Sequence, residues 1–457
     1  MAHLAVVGGG IAGLAAAARL SKLGHSVTLI EADDRLGGSL GLQTADTPEG
    51  RFTWDRGPAA TLVPAALRDL FRKSGRPLER ELDLVPVEVT HHLPDGSRVS
   101  LPGGSRAGQL TAIDALGSGM GERWCAYAAS FSEDWELLRR HVFERAFDAA
   151  VAPRSVTRLL RDTRTLAARA AELEDPRLIT LATADARLGG HRPETAPAWL
   201  GVSTYLEQRL GRWTAPGGLG ALAEVLATRL ADRGVEIMLS HKVLSLAPAR
   251  GGWLLTTPTA ELSADGVIWA APAPPPLPAA RPSGLRRLLP APSRHPEPAD
   301  PRAQPRLVHP RLVHPRLVHP RLVYLALSRE WTEGSLSVWH PADPLEAPLE
   351  VRHTGSAPAG HAAVSLLSWS AADPVSELAA RGLDLRPHIV SRLDNHPDPS
   401  AWGRSLPHPR IELTELGPRS ASAPVGLLRA GAGLLPGMGL PGAVLSAAQI
   451  ADLVGRA

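Results

Sequence analysis

The chain has 457 residues, 44% of them hydrophobic and 21% charged, with a formal net charge of +3. That length admits two or three domains around a large core, and the balance is that of an ordinary globular protein, with no uninterrupted apolar run long enough to span a bilayer. The small charge leaves nucleic-acid binding without a basis, and the single cysteine, Cys125, excludes an intramolecular disulfide and a cysteine-built metal site and fits a reducing cytoplasm.

Residues 4–7 form an apolar run that reads as a buried parallel strand, and Gly8, Gly10 and Gly13 then fall on the G-x-G-x-x-G spacing. Each glycine has its own task in a dinucleotide site. Gly8 permits the tight turn, Gly10 lets the backbone approach a pyrophosphate, and Gly13 lets the next helix pack on the strand. That helix, over about 11–23, starts at Ile11 and Ala12, aims its first amides at the phosphates and closes at Gly24. A second strand, 26–30, runs into Glu31, an acid placed to accept hydrogen bonds from ribose hydroxyls. The apolar start has no basic flank and reaches Arg19 soon, so it reads as neither a secretory signal nor a membrane anchor.

Arg35-Leu36-Gly37-Gly38 resembles the second fingerprint of the flavoprotein group that holds amine oxidases, protoporphyrinogen oxidases and carotenoid desaturases. The resemblance implies FAD, with Arg35, Gly37 and Gly38 at its ribose and phosphates; Ser39 stands where many members place a basic residue. Phe52-Thr53-Trp54-Asp55-Arg56-Gly57-Pro58, followed by a helix over 64–73, is similar to the bacterial-type phytoene desaturase branch. There this turn passes near the isoalloxazine, which implies Arg56, Gly57 and Pro58 as flavin neighbours.

Two strand-like pieces in 84–102 flank a Pro-Asp-Gly hairpin turn, and residues 124–192 are mostly helical in pattern. Within them, residues 156–173 read as one basic amphipathic helix, open to two readings: a surface for an anionic membrane, or a solvated arginine face on a helix packed in its own domain. Ala215-Pro216-Gly217-Gly218 is similar to an element of carotenoid desaturases at the return to the cofactor domain. The family order then implies a strand at Val243 whose backbone pairs with the adenine. His241 reads as a surface-loop residue, with no partner at the spacing of a relay.

Residues 267–272 resemble the strand that ends this return. A proline-rich linker, 272–305, precedes a repeated Pro-Arg-Leu-Val-His whose last copy enters an alternating strand, 324–327; the upstream copies read as duplications of that strand's start, forming a loose loop rather than a metal-binding tract. Trp339 and Trp369 read as core. The segment 427–446 closely resembles the closing FAD motif of bacterial-type phytoene desaturases, with Gly433-Leu434 where amine oxidases usually carry an acid. It implies cofactor contacts from Gly433, Gly437 and Met438 and a helix over 443–454.

The expected fold is α/β: an FAD-binding Rossmann-like domain built from discontinuous segments (1–90, 213–272 and 412–457) with an inserted α+β substrate domain (91–212 and 273–411). No catalytic triad, paired carboxylate or metal set is evident, so no catalytic residue is assigned, no metal is expected, and the chemistry falls to the flavin. The resemblance implies a carotenoid desaturase at the cytoplasmic membrane surface, with quinone or oxygen as electron acceptor. The bond is that of phytoene desaturation or of a later 3′,4′-desaturation at the ψ-end of a lycopene- or γ-carotene-type substrate, hydroxylated or not. A carotenoid cis-trans isomerase, a ketolase and another amine-oxidase-like oxidase stay open.

Overall fold

The computed structural model describes residues 1–278, 320–343, 346–396, 416–419, 425–435 and 437–457. Most of the proline-rich linker and the pentapeptide repeat up to residue 319 lie outside them.

Short runs of Val, Ile and Leu make a five-stranded parallel sheet, since such runs can be buried on both faces. His3–Val7 is central, with Ser26–Ile30 and then Glu236–Met238 on one side, and Gly266–Trp269 and then Leu427–Arg429 on the other. Three stretches of chain remote in sequence thus supply one sheet. The alanine-rich helix Ile11–Lys22 covers one face; its small side chains let the C-terminal helix Gly439–Val454 and the helix Ala221–Asp232 pack directly on it. A three-stranded antiparallel sheet covers the other face, burying Trp253 and Leu255 against Ala5 and Val7.

A second, mixed sheet of seven strands runs in the order Ile389–Asn395, Arg321–Leu327, Ala362–Ser368, Leu349–Arg352, Leu336–Trp339, Val89–His92, Arg98–Leu101. The helix Pro374–Ala380 covers one of its faces with Val375 and Leu378. On the other, the hairpin of Leu42–Thr47 and Gly50–Asp55 lays Phe52 and Trp54 against Leu322 and Tyr324. The strand after the repeat is therefore buried on both faces rather than alternating, because it sits inside the sheet with cover on each side. Trp339 stacks on His92 with ring centroids 3.6 Å apart, and Trp369 donates to Leu188 O at 2.6 Å.

Three further sequence expectations need correction. Residues 156–173 are not one helix but two short ones, Arg154–Leu160 and Leu166–Ala170. Asp162 accepts from the Arg164 amide and Thr165 caps the second helix by accepting from Ala168 N–H, so local side-chain bonds turn the chain where periodicity would have continued it. The C-terminal helix begins at Gly439, four residues earlier than expected; Pro441 is tolerated in its first turn, where an amide would lack an intrahelical partner. Val243 is buried beside Ala5, Val7 and Ile30 but lies in irregular chain just before the strand Ser245–Ala249.

Candidate active site

The glycine turn separates what the fold needs from what a ligand needs. A Cβ on Gly13 would stand 1.8 Å from Gly8 O, so the helix could not seat on the turn, and Gly8 itself holds φ +105° against the backbone of Ala270. Gly10 is different. Its φ of −69° suits any residue, and a Cβ there would meet nothing within 4 Å. The folded chain gives no reason for glycine at that position, whereas a pyrophosphate lying against the turn does. The helix Ile11–Lys22 starts here with no side-chain cap and no acid in its first turn, so no side chain serves the amides of Ile11 and Ala12; the helix Gly439–Val454 also starts with neither. The two helices pack side by side with their C-terminal ends joined, His25 Nε2 lying 3.0 Å from Gly455 O, so they run in the same direction, and uncapped N-termini suit an anion.

The second fingerprint folds over this turn. Gly37 N–H donates to Gly9 O at 2.8 Å, and Gly38, with φ +57°, lies so close that a Cβ would be 3.0 Å from Gly10 Cα. The Glu31 carboxylate is fixed at the same place by the amides of Gly9 and of Asp33, the latter at 2.9 Å. Arg35 is exposed and Arg56 is half-buried; neither forms a hydrogen bond or ion pair through its side chain among the described residues. Burial, and then the charge of Arg35, lower the Arg56 pKa, with Tyr324 and Asp33 opposing. Two neighbouring guanidiniums are relieved when an anion enters between them. The structure therefore brings Gly8, Gly10, Ile11, Ala12, Gly13, Glu31, Arg35, Gly37, Gly38 and Arg56 to one place, and these residues fit FAD. Gly433 lies in a turn of 3-10 helix, Ala432–Leu434, ahead of the C-terminal helix.

Gly57, Pro58, Gly437 and Met438 lead to a second feature. A cavity of about 260 Å³ opens between Pro58 and residues 437–441 on one side and Leu188, Trp199, Leu200 and Leu206 on the other. Its wall is mostly apolar, with four charged side chains in two pairs: Asp185 with Arg212 at 2.5 Å, and Glu350 with Arg352 at 2.5 Å. Arg212 also holds Glu207 through Nε at 2.6 Å, and Arg352 donates to Gly57 O at 2.8 Å. Burial raises the Glu207 pKa, with Arg212 opposing; burial also works against the charge of Arg212, but Asp185 and Glu207 outweigh it. Behind this wall Asp55 accepts from Gly220 N–H at 2.7 Å and from the Thr354 hydroxyl at 2.6 Å, and burial pushes its pKa up to about 6. His91 and His340 share a buried hydrogen bond of 3.0 Å, and burial drives His91 down to about 3, so the pair is neutral.

These charged groups escaped the sequence reading. Asp55 had a visible signal, standing inside the motif that runs to Pro58, but Asp185, Glu207 and Arg212 come from two helices and a strand and share no motif spacing.

A glycine turn on a parallel sheet, an uncapped helix N-terminus above it and an apolar cavity beside it describe a dinucleotide-binding protein. The family model for flavin containing amine oxidoreductases matches residues 11–302, more than half of the chain, and the chain belongs to this family: it is an FAD-dependent oxidoreductase. Among curated proteins it is similar to a 4,4′-diapolycopene oxygenase of Methylomonas sp, 26% identical over 54% of this chain and 50% of that one. A 4,4′-diapophytoene desaturase (4,4′-diaponeurosporene-forming) of Staphylococcus aureus strain Newman is 23% identical over 52% and 48%. The chain thus matches only about half the length of these relatives. Among solved structures, cyclohexylamine oxidase from Brevibacterium oxydans IH-35A aligns over 99% of both chains with a TM-score of 0.61 at 15% identity, a likeness of fold.

Proposed function

We propose that the protein is an FAD-dependent carotenoid desaturase. The observation that carries this reading is the cavity: its wall is largely aliphatic, and Asp185 and Glu350 are each held by an arginine, so no uncommitted carboxylate waits for an ammonium group. That favours a hydrocarbon chain over an amine. The names of the two carotenoid relatives support the same choice.

FAD, held by Gly8, Gly10, Glu31, Gly37 and Gly38, would supply the two-electron acceptor: removal of a hydride from one substrate carbon, with the proton of its neighbour passing to solvent, would leave a C=C bond between the two. The chain's own part is to bind, orient and exclude water. Leu188, Leu200 and Leu206 exclude water from the reacting carbons, while Pro58 and Met438 shape the cavity wall on the cofactor side. A cavity of this size holds one end of a long polyene rather than the whole, which suits phytoene or a later 3′,4′-desaturation at a ψ-end. The Methylomonas relative favours a second reading, oxygenation of a carotenoid end. A polyene is insoluble in water, so we further infer peripheral binding to the cytoplasmic membrane with quinone or oxygen as final acceptor. In support, Ala149, Ala150 and Val151 are exposed beside Arg154, Arg158 and Arg161, none of which is in an ion pair among the described residues, and this loop follows Phe143 of the cavity wall.

The test is expression in separate hosts that accumulate phytoene, lycopene or γ-carotene, followed by pigment spectra and masses. Loss of two hydrogens with a red shift is expected. A gain of oxygen would favour the second reading, constant mass would point to isomerisation, and unchanged pigments in a host making flavin-loaded protein would refute the carotenoid assignment.

A further inference from the structure

The part of the cavity wall that carries Leu138 and Phe143 is tied to the C-terminal helix by a single side chain. The helix Ser132–Leu138 continues into one π-helical turn, Arg139–Phe143, closed by Glu144 N–H donating to Arg139 O at 2.9 Å. Such wide turns are rare and recur at functional sites. Beyond it the chain is irregular as far as Pro153, and its carbonyls find a partner in Gln449, a buried residue of the helix Gly439–Val454. Gln449 Nε2 lies 2.7 Å from Val142 O, 3.0 Å from Phe143 O and 2.9 Å from Arg145 O. An amide nitrogen has two hydrogens for these three acceptors, and Gln449 Oε1 is buried with no partner among the described residues. The remaining hold is apolar: Val142, Phe143 and Phe147 are buried. The chain then surfaces, with Val151 79% exposed beside Ala149 and Ala150 and ahead of the arginines at 154, 158 and 161.

We propose that residues 139–152 are a lid on the cavity, latched by Gln449 and released when Val151 enters an anionic bilayer. This rests on the membrane reading of residues 149–161 and adds what the contact does: it opens the cavity towards the phase that dissolves an apolar substrate. The choice of opener follows from what the lid buries. In water, releasing Val142, Phe143 and Phe147 exposes apolar surface and is unfavourable, so the wall stays shut. Against acyl chains the same side chains lose little, while the arginines find anionic headgroups. The latch suits release as well. Its three bonds come from one side chain, so they part together, and water reaching Gln449 then satisfies the oxygen that the closed state leaves unpaired. The helix carrying Gln449 also begins at the cavity, with Leu440 and Pro441 in its wall, so the latch fixes the lid to the wall it closes against.

The test follows backbone hydrogen exchange in FAD-loaded protein, with and without vesicles of phosphatidylcholine and phosphatidylglycerol. Access to the cavity is read separately, from the rate at which chloramine-T converts Met438, a buried wall residue, to its sulfoxide. Gln449→Leu keeps the bulk of the side chain and removes the three bonds. Without vesicles it should speed exchange over residues 140–147 about tenfold or more and speed Met438 oxidation, leaving the strand His3–Val7 unchanged. In the wild type, vesicles should speed the same amides. Val151→Asp, a change on an exposed side chain, should abolish that response while leaving exchange without vesicles as it was, and it decides the matter if the Gln449 variant does not fold. Exchange over 140–147 untouched in folded Gln449→Leu, or a vesicle response that survives Val151→Asp, would overturn the proposal. Wild-type protein that floats with the vesicles yet shows unaltered exchange would refute the lid and leave the membrane reading standing; protein that does not float would sink the membrane reading and the lid's opener with it.

Discussion

Asp55 should make the folded protein less stable as pH rises from 4 to 7, and Asp55→Asn should abolish that trend. The carboxyl group is 1% exposed, and burial takes it from its ordinary 3.8 to about 6. A raised carboxyl pKa means that the folded state binds this proton more tightly than the unfolded chain. The associated stability is complete below 3.8 and lost as pH rises through about 6. At about 1.4 kcal/mol per tenfold change in proton affinity, the ionised group costs about 3 kcal/mol at neutral pH. Asparagine keeps an acceptor for Gly220 N–H and can donate to Thr354, so what it mainly removes is the charge. The assay is unfolding of both proteins at saturating FAD between pH 4 and 8. Relative to the variant, the wild type should weaken by about 2–3 kcal/mol across that range, with the change centred on the window from 3.8 to about 6. A stability difference independent of pH would refute the reasoning. The cost has a local reason: a Cβ on Gly218 would stand 2.4 Å from Asp55 Oδ1, so the carboxylate is pressed into the 218–220 turn whose amide it accepts.

Gly10→Ala should fold with an unchanged melting temperature in the absence of cofactor and yet purify colourless, because its new methyl group meets only the space meant for the pyrophosphate; retention of flavin would contradict the site. Gly13→Ala should instead lose soluble protein, its Cβ lying 1.8 Å from Gly8 O. Flotation with anionic liposomes should weaken with salt and with replacement of Arg158 and Arg161, and salt-insensitive flotation would point to another surface. Deleting residues 305–319 should leave FAD content and melting temperature nearly unchanged, since the strand Arg321–Leu327 begins beyond the cut and keeps both neighbours; insoluble protein would show otherwise.

The cofactor half of the site was legible because close backbone approach leaves a compositional mark. Gly8, Gly10 and Gly13 are required one by one, and Gly38 lies where any Cβ would stand 3.0 Å from Gly10 Cα. The cavity half was not. Its ion pairs join side chains brought together only by packing, and an Asp185 or an Arg212 on a helix or strand looks like any surface charge until the facing element is known. The expected helix over 156–173 failed for a different reason: the apolar period is real, but Asp162 and Thr165, both residues that favour turns and caps, stand where it breaks. The strand 324–327 was located correctly, and its burial was missed because the hairpin carrying Phe52 and Trp54 comes from the other end of the chain.

One turn carries the connection between the two halves. Arg56 stands on the cofactor side, Pro58 borders the cavity, and Gly57 between them lies where a Cβ would be 2.5 Å from Ser39 O. Arg352, 3% exposed on the strand Leu349–Arg352 of the second sheet, donates to Gly57 O and is itself held by Glu350. A buried ion pair is poor value as pure stabilisation, because well-packed apolar side chains often serve as well. Its use here is geometric. A substrate that reacts with a bound cofactor has to be held to within about half an ångström of its productive position, and the groups around this turn come from both sheets. By gripping Gly57 O, Arg352 makes the seating of the substrate sheet and the position of the cofactor turn one variable, so the cavity cannot shift relative to FAD without breaking a buried charged hydrogen bond.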